Sequence, residues 1–307
     1  MNALRFAPAA PRGSVTRSPS RVSTHHSQAR TPRLIPHGWR DDSPLVDDVN
    51  ASSTKRAKRS GKKKDAGAQR VTGKGKGDAS SAKLTKIDLG QGKYVELYVP
   101  TDVADVEGKV TPQTLEQFRD SLYGAGDVIW PASVAMSRLI THCPSLIKDK
   151  RILEIGAGLG LVGNSALKAG AEQVVMCDYD GDVLNLAKRS AVVNNPVDPS
   201  MGKTLHLDWT NISSEFCADS SQKFDVIIAA DVLYDEQSVE CVANVIHRSI
   251  KKGGMCLVCD PEQRQHRNYF ADAALEFGLE TVEADFPGHE NMRLVQVTRV
   301  EMEQEEG

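Results

Sequence analysis

From residue 151 onward the chain alternates short apolar runs with stretches of helical period, and glycine or polar residues punctuate the changes. Residues 152–155 read as a strand, and the apolar positions of residues 161–169 follow helical spacing. The alternation continues with a strand over 173–178, a helix over 182–193 carrying Leu184, Ala187 and Ala191 on one face, and a strand over 204–209. Residues 224–231 form a run apolar enough to be a strand covered on both faces. A helix over 239–250 ends at Gly253 and Gly254, and a fifth strand over 255–259, a helix over 265–277 and strands over 280–284 and 292–300 follow.

Strands alternating with helices in this way predict an α/β fold, a mostly parallel sheet with right-handed crossovers and helices on both faces. The link over residues 285–291 leaves no room for a helix, so the last two strands are expected to be antiparallel neighbours. Ahead of this series, two runs over 86–89 and 94–99 flank Gly90-Gln91-Gly92, which is a hairpin signal. Residues 111–122 start with Thr-Pro and carry Leu115, Phe118 and Leu122 at helical spacing. A loop then closes on Trp130 and Pro131 before a helix over 132–140.

Charge divides the chain unevenly. Residues 1–76 hold 17 Lys and Arg against five Asp and Glu, whereas the remaining 231 residues hold 21 against 36. Such a polar, apolar-poor arm cannot offset the entropy of ordering it, so residues 1–82 are expected to be disordered, residues 83–300 to form the domain, and residues 301–307 to be an acidic tail. The acidic domain disfavours nucleic acid and suits a basic protein partner, although an acidic surface can also be merely solvated. Residues 1–40 are Arg- and Ser-rich without an acid, as in an organelle transit peptide, and residues 55–64 form a lysine- and arginine-rich cluster of the nuclear-localisation kind. With no apolar run of about 18 residues there is no expected membrane span, and the chain is read as an intracellular monomer, cytoplasmic or nuclear, with the transit peptide as the alternative. Six cysteines without secreted-type spacing fit a reducing compartment. Cys256 and Cys259 lie in one apolar run, where a separation of three puts them on opposite strand faces and rules out a shared metal.

Ligands of open parallel sheets sit beyond the carboxyl ends of the strands, so what each strand delivers there is the useful question. The first delivers Glu154 and then Gly156, Gly158 and Gly160, a turn where backbone can pass close to a ligand. A carboxylate at Glu154 would repel a pyrophosphate, so a nucleotide with a cationic or polar tail fits better than a dinucleotide. Gly158, Gly160 and Gly163 match the dinucleotide fingerprint only in a shifted frame, and Gly163 falls inside the helix, where it lets helix and sheet approach. The second strand delivers Asp178, able to accept both ribose hydroxyls. The third brings Asp208 and Trp209, a polar group beside a flat face fit for an adenine, and the fourth Ala229, Ala230, Asp231 and then Tyr234. Taken singly, Asp178 is also a plain turn residue and Trp130 or Trp209 ordinary core. Four strand ends acting together are far more specific.

Glu154-Ile155-Gly156-Ala157-Gly158-Leu159-Gly160, the acid ending the second strand, Asp208-Trp209 and the antiparallel final strand resemble a seven-strand S-adenosylmethionine-dependent methyltransferase with a Rossmann-like sheet, here extended by the small N-terminal β-hairpin. Trp130-Pro131 together with Asp231-Val232-Leu233-Tyr234 is similar to the protein lysine methyltransferases marked by an Asp-x-x-Tyr motif after strand four. The resemblance spans residues 84–300. It implies that Trp130 contacts the methionine moiety, Glu154 and the turn from Gly156 to Gly160 the amino-acid tail, Asp178 the ribose, Trp209 and Asp208 the adenine, and Ala230 the ligand through backbone. Asp231 and Tyr234 would line the acceptor channel as catalytic residues, with no metal. The implied activity is N-methyl transfer to a lysine of a protein. A methyltransferase of protein arginine or histidine, one acting on a small molecule, and a noncatalytic cofactor-binding module are the alternatives. Methyltransferases acting on flat amide or base nitrogens commonly carry Pro-Pro between the acid and the tyrosine, where this chain has Val232-Leu233.

Overall fold

In the computed structural model, residues 82–100 and 128–300 are described. The arm up to residue 81, the helix expected over 111–122 and the tail 301–307 lie outside the described residues. Strands β1 (Ala82–Asp88) and β2 (Tyr94–Pro100) pair antiparallel around the Gly90-Gln91-Gly92 turn, with Ile87 opposite Val95. After α1 (Pro131–His142) comes the expected series: β3 (Arg151–Ile155), α2 (Leu161–Lys168), β4 (Gln173–Asp178), α3 (Gly181–Asn194), β5 (Gly202–His206), β6 (Phe224–Ala230), α4 (Glu236–Ser249), β7 (Ile250–Pro261), α5 (Phe270–Glu276), β8 (Leu279–Ala284) and β9 (Met292–Arg299).

Seven of these strands form one sheet in the order β5-β4-β3-β6-β7-β9-β8. Every neighbouring pair is parallel except the two that involve β9, which runs antiparallel to both β7 and β8. The reversed strand is therefore β9 alone, slotted inside the sheet, and β8 at the edge runs with the parallel majority. The apolar runs have no polar alternation because both faces are covered. Ile152, Val174, Val226 and Ile228 pack with α1, α2 and α3, while Leu153, Val175, Ile227 and Ala229 pack with α4 and α5. By the same alternation Cys259 belongs to the first layer and Cys256 to the second, on opposite faces of β7 as expected.

The hairpin lies on α3, whose side chains complete its edge. Ser190 Oγ accepts the Tyr98 N–H at 2.9 Å, and Asn194 takes the Glu96 N–H through Oδ1 at 3.1 Å while donating to the Glu96 carbonyl at 2.7 Å. An edge strand satisfied by a helix is closed to further pairing. Ile87, Leu89, Val95 and Leu97 bury their side chains against Leu159, Leu161 and Leu186, so the hairpin backs the glycine turn.

Four of the boundaries that differ from the sequence reading have a local reason. β5 stops at His206 instead of running through Trp209, because Asp208 Oδ1 accepts both the N–H and the hydroxyl of Thr210 and folds the chain into a turn. α4 starts at Glu236, a turn earlier, since Asp235 and Ser238 exchange side-chain and backbone bonds as a capping box. Gly253 and Gly254 do not cap that helix but belong to β7. Phe224 pairs with Ile250 and Val226 with Met255, so β7 loops out between them, and a Cβ on Gly254 would stand 2.9 Å from the Asp225 carbonyl oxygen. Finally, the helix expected over 265–277 begins with a 3-10 segment, His266–Tyr269, before α5. Among the described residues no helix is long and apolar enough to cross a membrane.

Candidate active site

Segments following β3, β4, β5, β6 and β7 meet the chain entering α1 around one cleft, at the carboxyl ends of the parallel strands. Trp130, Gly156, Gly158, Asp178, Asp208, Trp209, Ala230, Asp231 and Tyr234 line it, all of them residues that the sequence had singled out.

Gly156, Gly158 and Gly160 all adopt positive φ, which only glycine takes without strain. Crowding adds to this at Gly156, where a Cβ would stand 2.9 Å from Val232 Cγ1 and 3.3 Å from the Trp209 ring. Neighbouring protein atoms, and not only a ligand, demand the missing side chain. Asp178 Oδ2 accepts the Gly158 N–H at 2.9 Å and its Oδ1 the Asp180 N–H at 3.0 Å. Burial raises the Asp178 carboxyl, and these backbone donors oppose the rise. The acid that ends β4 thus fixes the turn that ends β3, and the carboxylate retains acceptor capacity for a ligand hydroxyl.

Glu154 and Gly160 stand behind the wall and do not line the cleft. Glu154 is 3% exposed, and its Oε2 accepts the Gly163 N–H at 3.0 Å, closing one of the free donors at the start of α2. Burial drives its carboxyl up to about 8, against the lowering pull of the Gly163 N–H. The tail contact implied for Glu154 becomes, in this geometry, support of the turn from one layer back. A Cβ on Gly163 would come within 2.5 Å of that same Oε2, so Gly163 does serve the close approach of helix and sheet.

On the other side of the cleft the chain turns sharply after β6. Asp231 has φ +63°, a left-handed conformation that costs a non-glycine residue about 1–2 kcal/mol, and its N–H donates to the Cys259 carbonyl at 2.9 Å. Its side chain is 1% exposed, and Oδ1 accepts from Nη2 of Arg264. Among the described residues Oδ2 has no hydrogen bond of good geometry, although the nearby Ala132 N–H favours the charged form. Burial raises the Asp231 carboxyl and the Arg264 guanidinium holds it down. Tyr234 leans over Trp209 with ring centroids 5.9 Å apart, joining the segment after β6 to the segment after β5.

The sequence reading missed Arg264 and Asp260. Arg264 lines the cleft and reaches Asp260 as well, Nε to Oδ1 at 3.9 Å. Asp260, itself 1% exposed, accepts the Leu233 N–H at 3.1 Å, and burial followed by the charge of Asp231 raises its carboxyl. The signal was available, since Asp260 closes β7 as Asp178 closes β4, but only four strand ends were read.

Four carboxylates, Asp178, Asp208, Asp231 and Asp235, line the cleft, and Arg264, already paired with Asp231, is the arginine or lysine among its lining residues. Such a lining disfavours phosphate-bearing ligands and suits a nucleoside with a cationic tail. S-adenosylmethionine has that chemistry. Trp209 offers a flat face, Asp178 hydroxyl acceptors and the Gly156 to Gly158 backbone close approach, so the residues present fit it.

Similar proteins carry related activities on different side chains. The chain is 30% identical over 135 residues to the protein N-terminal and lysine N-methyltransferase efm7 of Aspergillus fumigatus, covering 41% of this chain and 52% of that protein. It is 28% identical over 136 residues to the histidine protein methyltransferase 1 homolog of Dictyostelium discoideum, covering 44% and 42%. To the histone-arginine methyltransferase METTL23 of Xenopus laevis it is 30% identical over 117 residues, covering 38% and 47%. The chain spans about half the length of these relatives. A family model described as lysine methyltransferase matches residues 109–276, more than half of the chain and every residue that lines the cleft. The chain belongs to the lysine methyltransferase family.

Proposed function

We propose that the protein is an S-adenosylmethionine-dependent protein-lysine N-methyltransferase. The observation that carries this reading is the turn from Asp231 to Tyr234, which brings a buried carboxylate and an aromatic ring to a cleft that also carries Asp178, Asp208 and Asp235. When bound, S-adenosylmethionine supplies a methyl group already activated by its sulfonium. Asp178 would hold the ribose hydroxyls, Trp209 the adenine, and Trp130 with the Gly156 to Gly158 backbone the amino-acid end. The protein's remaining task is to align a neutral amine. Free lysine has a pKa of about 10.4, and burial of its ammonium in a dry channel lowers that value. Oδ2 of Asp231 would accept a hydrogen bond from the amine and orient its lone pair, while the Tyr234 ring forms an apolar wall with a polar tip.

The Val232-Leu233 pair departs from the Pro-Pro form of the motif that goes with planar nitrogen acceptors, which supports an amine as the acceptor. The Leu233 N–H is bonded to Asp260, and a proline at that position has no N–H to give. The reading further comprises a basic surface around the target lysine, no need of nucleic acid, a monomeric enzyme and an intracellular site of action. The last is supported by six free thiols.

The test is transfer of isotope-labelled methyl from S-adenosylmethionine into a cell lysate, followed by acid hydrolysis and separation of methylated amino acids. Label should appear in methyl-lysine. Label in methylarginine or methylhistidine instead, the targets named for two of the relatives, would replace lysine in the reading, and label confined to small molecules would overturn it.

A further inference from the structure

Three bonds hold the acceptor turn, and all three partners come from β7 or the loop after it. The Asp231 N–H reaches the Cys259 carbonyl, the Leu233 N–H reaches Asp260, and the Asp231 carboxylate is held by Arg264. Arg264 spans both acids, with its own side chain 12% exposed and theirs 1%. A guanidinium is a planar fork with fixed donor directions, so it constrains where a carboxylate sits and not merely its charge. With Oδ1 of Asp231 bonded to Arg264, the buried Oδ2, beside the Ala132 N–H, has no hydrogen bond of good geometry and is the oxygen with room for a further partner.

We propose that Arg264 is the positioning residue of the acceptor channel: ion-paired with Asp260 at 3.9 Å, it holds one oxygen of Asp231 by a hydrogen bond and so sets the orientation in which the other meets the incoming amine. The inference rests on the cleft being the lysine-methylating site proposed above. The competing explanation is that Arg264 only neutralises two buried acids. That role needs a positive charge and no fork, and lysine would fill it.

Arg264→Lys separates the two roles, and Arg264→Gln removes both. For each variant, initial rates of methyl transfer to the lysate band labelled by the wild type are measured at saturating S-adenosylmethionine, and cofactor affinity is measured separately by calorimetry. Positioning requires the rate of Arg264→Lys to fall by about 100-fold, the size of effect that an ångström of misplacement produces, with cofactor affinity held within about threefold. Arg264→Gln should fall at least as far. A rate for Arg264→Lys within about threefold of wild type overturns the proposal, because charge then suffices. Cofactor affinity that falls in parallel with the rate in both variants also overturns it, since Arg264 would then be supporting the fold as a whole. Failure of the functional reading is recognised separately, by a wild-type protein that labels no lysine.

Discussion

Around Gly156 the cleft is knit by short-range bonds, Glu154 to Gly163 across nine residues and Gly158 to Asp178 across 20, whereas around Asp231 the bonds join segments 27 and 33 residues apart. The first half is largely backbone, a turn whose shape follows from three glycines and two acids. The second is a cluster of side chains, two carboxylates around one guanidinium, laid across the ends of β6 and β7. The difference separates two kinds of damage. Distorting the backbone turn removes the ligand's seat, while disturbing the ionic cluster leaves the seat and spoils the alignment. Substitutions in the glycine half should therefore act on cofactor affinity, and those around Arg264 on rate at saturating cofactor.

The strongest effect in the glycine half is expected from Gly156→Ala. The new methyl group would sit at positive φ, a strain of about 1–2 kcal/mol, and would press on Val232 and the Trp209 ring. Pushing that ring aside moves the flat face read as the adenine seat. Calorimetry should show S-adenosylmethionine affinity reduced by about tenfold or more, each tenfold being about 1.4 kcal/mol, with a lowered unfolding midpoint. Retained affinity would mean that Val232 yields and that the turn tolerates a side chain after all.

A second effect lies behind the turn and appears as pH dependence. Burial raises the Glu154 carboxyl from its ordinary range to about 8 in the folded protein. The folded state then holds this proton more tightly than the unfolded chain does. Its contribution to stability is complete below the unfolded pKa near 4 and is lost as pH rises through about 8. One such group contributes a slope of at most about 1.4 kcal/mol per pH unit. Glu154→Gln keeps an oxygen to accept the Gly163 N–H but carries no proton to lose. Urea unfolding at pH 6 and pH 9 should show the wild type losing more stability over that interval than the variant. Equal losses would mean that Glu154 is ionised throughout, as a direct partner of a cationic tail would be.

How much of this was legible in the sequence follows the same division. β3, β4 and β6 and the glycine turn were readable because apolar runs and positive-φ glycines are properties of adjacent residues. Eight of the proposed site residues fall on the cleft for the same reason, each lying at or just past a strand end, and Trp130 joins them from the start of α1. Glu154 was placed in the right turn but one layer too far forward, since sequence position does not say which side of a strand end a carboxylate faces. Gly253 and Gly254 looked like a helix stop, although Gly253 answers to a positive φ and Gly254 to the Asp225 carbonyl on the neighbouring strand. Arg264 had no local signal at all, because its partner Asp231 lies 33 residues away, at the end of the neighbouring strand.

The smallest expected effect concerns the pair that the sequence could not order, Asp208 and Trp209. Asp208 spends Oδ1 on the N–H and hydroxyl of Thr210, and those two bonds hold its carboxyl below the ordinary range. Asp208→Asn retains an oxygen for the same turn, so cofactor affinity should change by under about threefold, less than 1 kcal/mol. Trp209→Leu removes the ring that borders both Gly156 and Tyr234 while leaving an apolar side chain, and the loss should be several times larger. The two variants compared by calorimetry with S-adenosylmethionine and then with adenosine alone assign the adenine contact. If Asp208→Asn weakens both ligands as much as Trp209→Leu does, the carboxylate and not the ring reads the base. The link that Tyr234 makes to the cofactor half through Trp209 would then be packing only. If the ring carries the effect, Trp209→Leu should also slow transfer at saturating cofactor, because Tyr234 loses a surface it leans on and that contact couples the two halves of the cleft.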